Sequence, residues 1–382
     1  MVFLFRIVHY IQLAMLHFSF WAASCFSCRQ ERTGYVVGVE EVASVLYNLS
    51  ISLPRVVSVC LFRNPYYNFK YTYNPGKFSG HFVRLIFGPV LLGFLAAKRK
   101  KFVYVGGSGF LFSHYDGRAH EFDFLKKRGC IVICYFTGSE IRSYALLNAY
   151  AKQRNIDVIT TYQPMCSAGI DSPAKEKRRK ALAWAADKFA DVIFNPSTDQ
   201  MSYITRKTFP FLYFYPDDRI CRIPSKWENK KYLIVVHAPS SPLIKGTPLV
   251  RAAIKKLVME GYVFEYIELI GVPHLTVLET IKRAHIVLNE FYAFVPGVFG
   301  VEAMAANAVL LTSADREIEP TLFEGANEAW VVTPYWMIYE KLKFQLDHPD
   351  SLQSQADRGT EWVRRYCSYS SSSARFRDFI DA

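Results

Sequence analysis

The sequence predicts an α/β protein of two domains, each built around a parallel sheet, and three observations point there. Short apolar runs alternate with segments of helical period along most of the chain, the pattern of sheets covered by helices on both faces. Several of these runs, 130–136, 232–237 and 308–311 among them, are apolar throughout rather than at every second residue, as strands buried on both sides require. The 382 residues suffice for two cores, and the polar, charged stretch 224–231 offers a link between them. The expected division is 1–225, 232–365 and a closing segment 366–382, with 1–33 open between an anchor and an extra helix.

Composition narrows the partners. Hydrophobic residues at 51% against 21% charged exclude a disordered chain. A net charge of +12 favours anionic partners, either nucleotide phosphates or anionic lipid headgroups. Basic residues cluster briefly at 98–101 and 175–180, and no nucleic-acid motif accompanies them, so no nucleic-acid partner is expected. The eight cysteines are scattered; Cys25 and Cys28 form one CxxC, but no second pair follows at zinc-finger spacing. They read as reduced packing residues in a reducing compartment, with no metal site.

The first thirty residues are apolar but broken by Arg6, His9, Gln12 and His17. Ala22-Ala23-Ser24 keeps a signal-peptide cleavage site open, the polar residues weaken a membrane span, and an interfacial helix is the main rival. Gly34 to Glu41 reads as a glycine-containing turn opening a helix that runs to about 49, on which Val42, Val45, Leu46 and Leu49 share a face. A strand at 56–62, a Tyr- and Asn-rich loop at 66–76 and an apolar helix at 82–97, kinked at Gly88-Pro89, follow. Then come a strand at 102–105, a helix end at 122–127 and a strand at 130–136 that delivers the turn Thr137-Gly138-Ser139-Glu140-Ile141-Arg142. Such turns lie at strand carboxyl ends, where open parallel sheets bind ligands. Ser172-Pro173 starts a helix over 174–190, followed by a strand at 191–194, a short helix from 198 and a strand at 211–215.

Beyond the link, 232–237 is a strand, 237–247 a loop carrying Lys245-Gly246, and the next helix runs to 260. A strand at 262–269, a helix from Val272-Pro273-His274 to 284 and a strand at 285–289 lead to the stretch 290–312. There a loop with Gly297 and Gly300 opens a short helix and a buried strand. Glycines let the backbone approach a ligand, and the first N–H groups of the helix can face an anion. Glu302 either complements the helix dipole or reaches a sugar hydroxyl, and Lys245 is either a surface residue or a counter-charge to a diphosphate. A last strand at 330–333 precedes helices at 351–366 and 373–382, with the serine run 368–373 as the kink between them.

The run Gly297-Val298-Phe299-Gly300-Val301-Glu302-Ala303-Met304-Ala305 resembles the signature of the retaining glycosyltransferases of family four, of the GT-B type. The Lys245-Gly246 loop and the order 125–142 resemble the same family. The resemblance implies two Rossmann-like domains facing across a cleft, with the last helix crossing back to the first, and makes 3–8 the first strand. It gives Glu302 the ribose of the donor, the backbone of Gly297, Val298, Phe299 and Gly300 the diphosphate, and Lys245 the catalytic cation. Ser240, Gly246 and Glu290 would complete the donor contacts, and Gly34, Gly38, Thr137, Gly138, Glu140 and Arg142 would line the cleft.

Three departures stand out. Phe294 occupies the place of a second family Glu, Thr137 that of a His, and the loop before Lys245 lacks the family's Arg, so that Lys245 acts with backbone N–H groups alone or Arg251 compensates from the following helix. No Asp-x-Asp triplet occurs, which fits a scheme that needs no metal or cofactor. The implied function is transfer of a hexosyl-type sugar from a nucleotide-sugar to a glycan or lipid-linked acceptor with retention, in surface polysaccharide or glycolipid synthesis. It would take place in the cytoplasm, in peripheral contact with the anionic inner face of the membrane. Its alternatives are an impaired GT-B-like binding protein and a membrane-associated assembly partner.

Overall fold

The computed structural model describes residues 2–26, 32–62, 64, 68–75, 80–112, 116–228 and 232–381. Their strands form two parallel sheets of five. In the first, β1 (Tyr35–Val39), β2 (Val56–Cys60), β3 (Lys101–Val105), β4 (Ile131–Tyr135) and β5 (Val192–Phe194) lie in the order β2-β1-β3-β4-β5. In the second, β6 (Ile234–His237), β7 (Glu265–Glu268), β8 (Ile286–Leu288), β9 (Val309–Thr312) and β10 (Val331–Val332) lie in the order β10-β9-β8-β6-β7. Each order reverses once, between β1 and β3 and between β6 and β8. The crevice beyond the carboxyl ends of strands at such a reversal is where open α/β sheets bind ligands.

Valine, isoleucine and leucine fill these strands, and all but their first residues are buried in β2, β3, β4 and β6. That is why their apolar runs are continuous. The amino-terminal stretch differs from expectation. Val2–Phe26 is one helix, so 3–8 is no strand. His9 and Gln12 are not breaks but inward contacts: both are buried, and Gln12 donates to the Leu85 carbonyl at 3.0 Å and accepts from the Phe112 N–H at 3.0 Å. Gln12, Leu16 and Phe20 recur at helical spacing on the side facing the Gly80–Lys98 helix. Gly34 to Val39 opens no helix either. The β-branched run Val36-Val37-Gly38-Val39 forms the central strand β1, and the helix begins only at Val45.

The two apolar helices touch at Gly93. A Cβ there would lie 2.6 Å from the Leu16 carbonyl oxygen and 2.8 Å from the Phe20 nitrogen. Gly93→Val is therefore expected to lift the Val2–Phe26 helix, costing about 1–3 kcal/mol. The check is a lower melting temperature together with earlier proteolytic cleavage inside residues 2–26.

No helix forms from Thr198 onward; the N–H groups of Ser197, Thr198 and Asp199 instead donate to the Glu319 carboxylate at 3.1, 2.7 and 2.8 Å. Residues 211–215 form no strand; isolated bridges join Phe209 to Phe194 just before them and Tyr215, their last residue, to Ser368. The link is partly helical (Ser225–Glu228), and its end lies outside the described residues, as does Cys28. At the carboxyl end the Leu352–Tyr366 helix breaks at Cys367 and Ser368, and Tyr369–Asp381 runs back over the first sheet. The serine run is thus the first turn of the last helix, with Ser368 Oγ accepting from the Ser371 N–H at 3.2 Å. Phe376 stacks on Phe194 at 5.1 Å, and Lys101 pairs with Asp381 at 2.9 Å. The expected crossing back to the first half is present.

Candidate active site

The loops after β6 and β8 meet at the reversal point of the second sheet. After β6 the chain turns through Ser241 to Thr247, closed by the Lys245 N–H on the Ser241 carbonyl at 3.1 Å and the Thr247 N–H on the Pro242 carbonyl at 2.9 Å. Gly246, at φ +80°, ends the turn against Phe291 and Tyr292. His237, buried at the end of β6, holds this loop to β8: one ring nitrogen meets Thr247 Oγ1 at 2.9 Å, the other the Leu288 carbonyl at 2.8 Å. Burial lowers its pKa, so it is neutral near pH 7.

This frame aims Lys245 at Glu290, and the two form an ion pair. Glu290 is nearly buried, and its Oε1 would lie 2.9 Å from a Cβ at Gly297, whose φ is +63°. Gly297 begins the Gly297–Ala305 helix, and its N–H donates to the Tyr213 hydroxyl at 3.2 Å. Pro296 supplies no capping side chain to the following N–H groups. A lysine, a carboxylate and a helix start thus share one spot, 45 residues apart in sequence for the first two. Ser240 is exposed on the same loop. Gly300 serves packing rather than ligand approach: a Cβ there would meet Asn289 Nδ2 at 2.9 Å and Leu310 of β9 at 3.2 Å.

Further along the helix, Val298, Val301 and Glu302 line a cleft of about 340 Å³ together with Ala43, Ser44, Tyr47 and Asn48 of the first half and Phe211 to Tyr215. Glu302 is buried and meets His274 Nε2 at 2.8 Å. His274 both starts its helix, as expected, and reaches the site, which its sequence position did not reveal. The Glu302 hydrogen bond raises the pKa of His274 above its ordinary value. A raised folded pKa gives a stabilisation that is full below the unfolded pKa of about 6.5 and is lost as pH rises through the folded value. The melting temperature is therefore expected to fall from pH 6 toward pH 8 more in the parent than in His274→Ala, within the ~6–8 window where histidine titrates.

On the first half, the loops at the β1/β3 reversal and after β4 gather Glu40, Ser108, Thr137 and Glu140. Ser108 donates to Glu40 at 2.6 Å; Thr137 donates to Glu140 Oε1 from its N–H at 2.5 Å and its hydroxyl at 2.9 Å. Gly107 packs against Glu140, and the half-buried Arg178 lies near Glu40 and Glu140, whose charges offset the lowering of its pKa by burial. Glu40 and Arg178 were missed because neither carries a motif. Gly138, at φ +156°, closes the same turn by accepting from the Arg142 N–H at 3.0 Å.

Several expected cleft residues lie elsewhere. Gly34, at the amino end of β1, lines a hollow of about 540 Å³ with Arg32, Lys100 and Lys101, at the opposite edge of the sheet from the crevice. Gly38 lies within β1, against Val59 and Phe110. Arg142 is buried in a pair with Asp199 at 2.7 Å. Arg251 does not stand in for a loop arginine, because it grips Glu268 at 3.1 and 3.2 Å. Phe294 is a buried plug beside Leu147, Ala151 and Val158, and its N–H donates to Asp199 at 2.8 Å. Together with Glu319, this seam joins the two halves beside the cleft.

No protein-family model matches the chain, and no curated protein matches it. Solved structures do. A sucrose-phosphate synthase from Thermosynechococcus elongatus superposes at a TM-score of 0.59 with 10% identity, covering 92% of this chain and 98% of that one. WaaG, a glycosyltransferase involved in lipopolysaccharide biosynthesis, superposes at 0.50 with 13% identity, covering 91% of this chain and 99% of that one. At these identities the likeness is one of fold, and the fold is GT-B: two parallel sheets flanked by helices, with the last helix returning to the first half.

Proposed function

We propose that the chain transfers a sugar from a nucleotide-sugar donor to an acceptor hydroxyl. The observation that carries this reading is the placement of Lys245 and Glu290 at the start of the Gly297–Ala305 helix, with Glu302 of the same helix on the cleft. Lys245 and the helix N–H groups would hold the donor's diphosphate, and Glu302 its ribose. The acceptor hydroxyl would attack the anomeric carbon as the sugar–phosphate bond breaks. The leaving diphosphate would keep the bonding electrons and take up the hydroxyl proton, so the sugar keeps its configuration. The protein's part is then positioning and charge stabilisation, and it needs no metal or cofactor. In this reading Glu40, Ser108, Thr137 and Glu140, gathered at the crevice of the first sheet, would form the acceptor wall.

The acceptor class follows from the amino-terminal surface. Ile7, Tyr10, Ile11, Phe18 and Trp21 are exposed along the Val2–Phe26 helix. No helix among the described residues is long and apolar enough to cross a membrane. A stripe of this kind suits peripheral contact with a lipid surface, and the acceptor is then lipid-linked or a growing surface glycan. A second reading, binding without turnover, is favoured by one observation: Glu290 already neutralises Lys245.

The test is nucleotide release from a panel of UDP-, GDP-, ADP- and dTDP-sugars, with and without glycolipid vesicles, beside Glu302→Ala. Release from one donor, lost in the variant, supports transfer; a nucleotide that raises the melting temperature without release supports the second reading. No release and no binding would overturn both.

A further inference from the structure

Away from the cleft, three side chains that suit a metal converge on the first half. His9 of the Val2–Phe26 helix brings Nε2 to 3.1 Å from His120 Nδ1, and that nitrogen is 3.0 Å from Asp116 Oδ2. All three ligand atoms lie within 4.8 Å of one another. We propose that His9, Asp116 and His120 bind a divalent cation of the zinc class, which clamps the amino-terminal helix to the body.

Two of the three spacings, 3.1 and 3.0 Å, are those of a coordination shell. Metal–ligand bonds of ~2.0–2.1 Å at a tetrahedral angle put two ligand atoms roughly 3.3 Å apart. His120 Nδ1 offers either a proton or a lone pair, so as hydrogen-bonding groups His9 and Asp116 compete for it. As lone-pair donors, all three can serve one cation. Two imidazoles and one carboxylate favour zinc-like ions over magnesium or calcium, which prefer oxygen shells. The carboxylate is already oriented: Asp116 Oδ1 accepts from the Arg118 N–H at 3.2 Å and Oδ2 from the His120 N–H at 3.1 Å. Such outer hydrogen bonds are how proteins fix metal ligands. His9 is 1% exposed and anchors the site from inside, whereas the His120 side chain is 47% exposed and leaves a face for water as the fourth ligand.

The site explains a contact the apolar surface alone does not. His9 interrupts the apolar sequence of its helix, and Asp116, in the turn before the Ala119–Lys126 helix, stands four residues from His120 in its first turn to meet it. The test uses the full chain, stripped with a chelator and titrated with Co²⁺, read by its visible d–d absorption and by competition with Zn²⁺. Expected are saturation at one equivalent and displacement by Zn²⁺. Affinity should fall about 100-fold or more in His120→Ala and Asp116→Asn, since even loss of an outer-shell partner costs ~10–100-fold. His348→Ala, an exposed histidine elsewhere, should leave the titration unchanged. Zn²⁺ should also slow proteolysis inside residues 2–26 in the parent and not in His120→Ala. Absence of a saturable Co²⁺ spectrum in the parent, or one that persists in both site variants, would overturn the proposal.

Discussion

Lys245→Ala is expected to slow nucleotide release from the preferred donor by about 100- to 1,000-fold, or roughly 2.7–4 kcal/mol of transition-state stabilisation. The melting temperature should fall as well, because the nearly buried Glu290 carboxylate loses its ion-pair partner, so the rate is read well below the melting point of the variant. The charge on a departing diphosphate peaks in the transition state, so the loss should appear in kcat more than in KM. Lys245→Arg would retain the charge but change its reach, and should recover part of the rate. Glu290→Gln completes the test. If the carboxylate stands where the diphosphate goes, its neutralisation should lower KM for the donor. A higher KM would instead mark Glu290 as a contact to the sugar. An unchanged rate in Lys245→Ala would remove Lys245 from the mechanism.

The second large effect is structural. Glu319 is fully buried and accepts from three consecutive backbone N–H groups, Ser197, Thr198 and Asp199, and from the hydroxyls of Ser197 and Thr321. Glu319→Ala leaves those donors without an acceptor. At about 1–3 kcal/mol for each unsatisfied buried group, the loss is of order 3–6 kcal/mol. The melting temperature should fall on the order of 5–10 °C. Glu319→Gln keeps one acceptor oxygen and should fall by much less. Because these bonds cross from one half to the other beside Phe294, the Ala variant should also lose activity below its melting point. A melting temperature unchanged within error would mean the segment re-forms its hydrogen bonds without Glu319.

Much of this was legible in the sequence because buried parallel strands leave a plain mark. The apolar runs at 130–136 and 232–237 contain β4 and β6, that at 308–311 holds all of β9 but its last residue, and the glycine-bearing helix start lies at Gly297. What failed did so for want of long-range information. His9 and Gln12 looked like interruptions, since nothing local shows that a second helix and a distant loop receive them. The run from Gly34 was read by its glycines, whereas the sheet at its centre selects its valines. Asp199 and Glu319 have no motif: 120 residues separate them, and the fold alone makes them neighbours. The absence of a second family Glu at Phe294 looked like a loss at the donor site, and the structure uses that position to seal the seam instead.

The order of synthesis gives the last helix a further meaning. Tyr35, Tyr135 and Phe194 of the first sheet are covered by Phe376. A ribosome making this chain releases those rings long before the residue that shields them. The first half must therefore wait, with an aromatic face open, until Phe376 leaves the exit tunnel. A chain cut short near Ser368 would emerge with nearly all of its candidate site and still present that face to its neighbours, complete in its chemistry and open to aggregation.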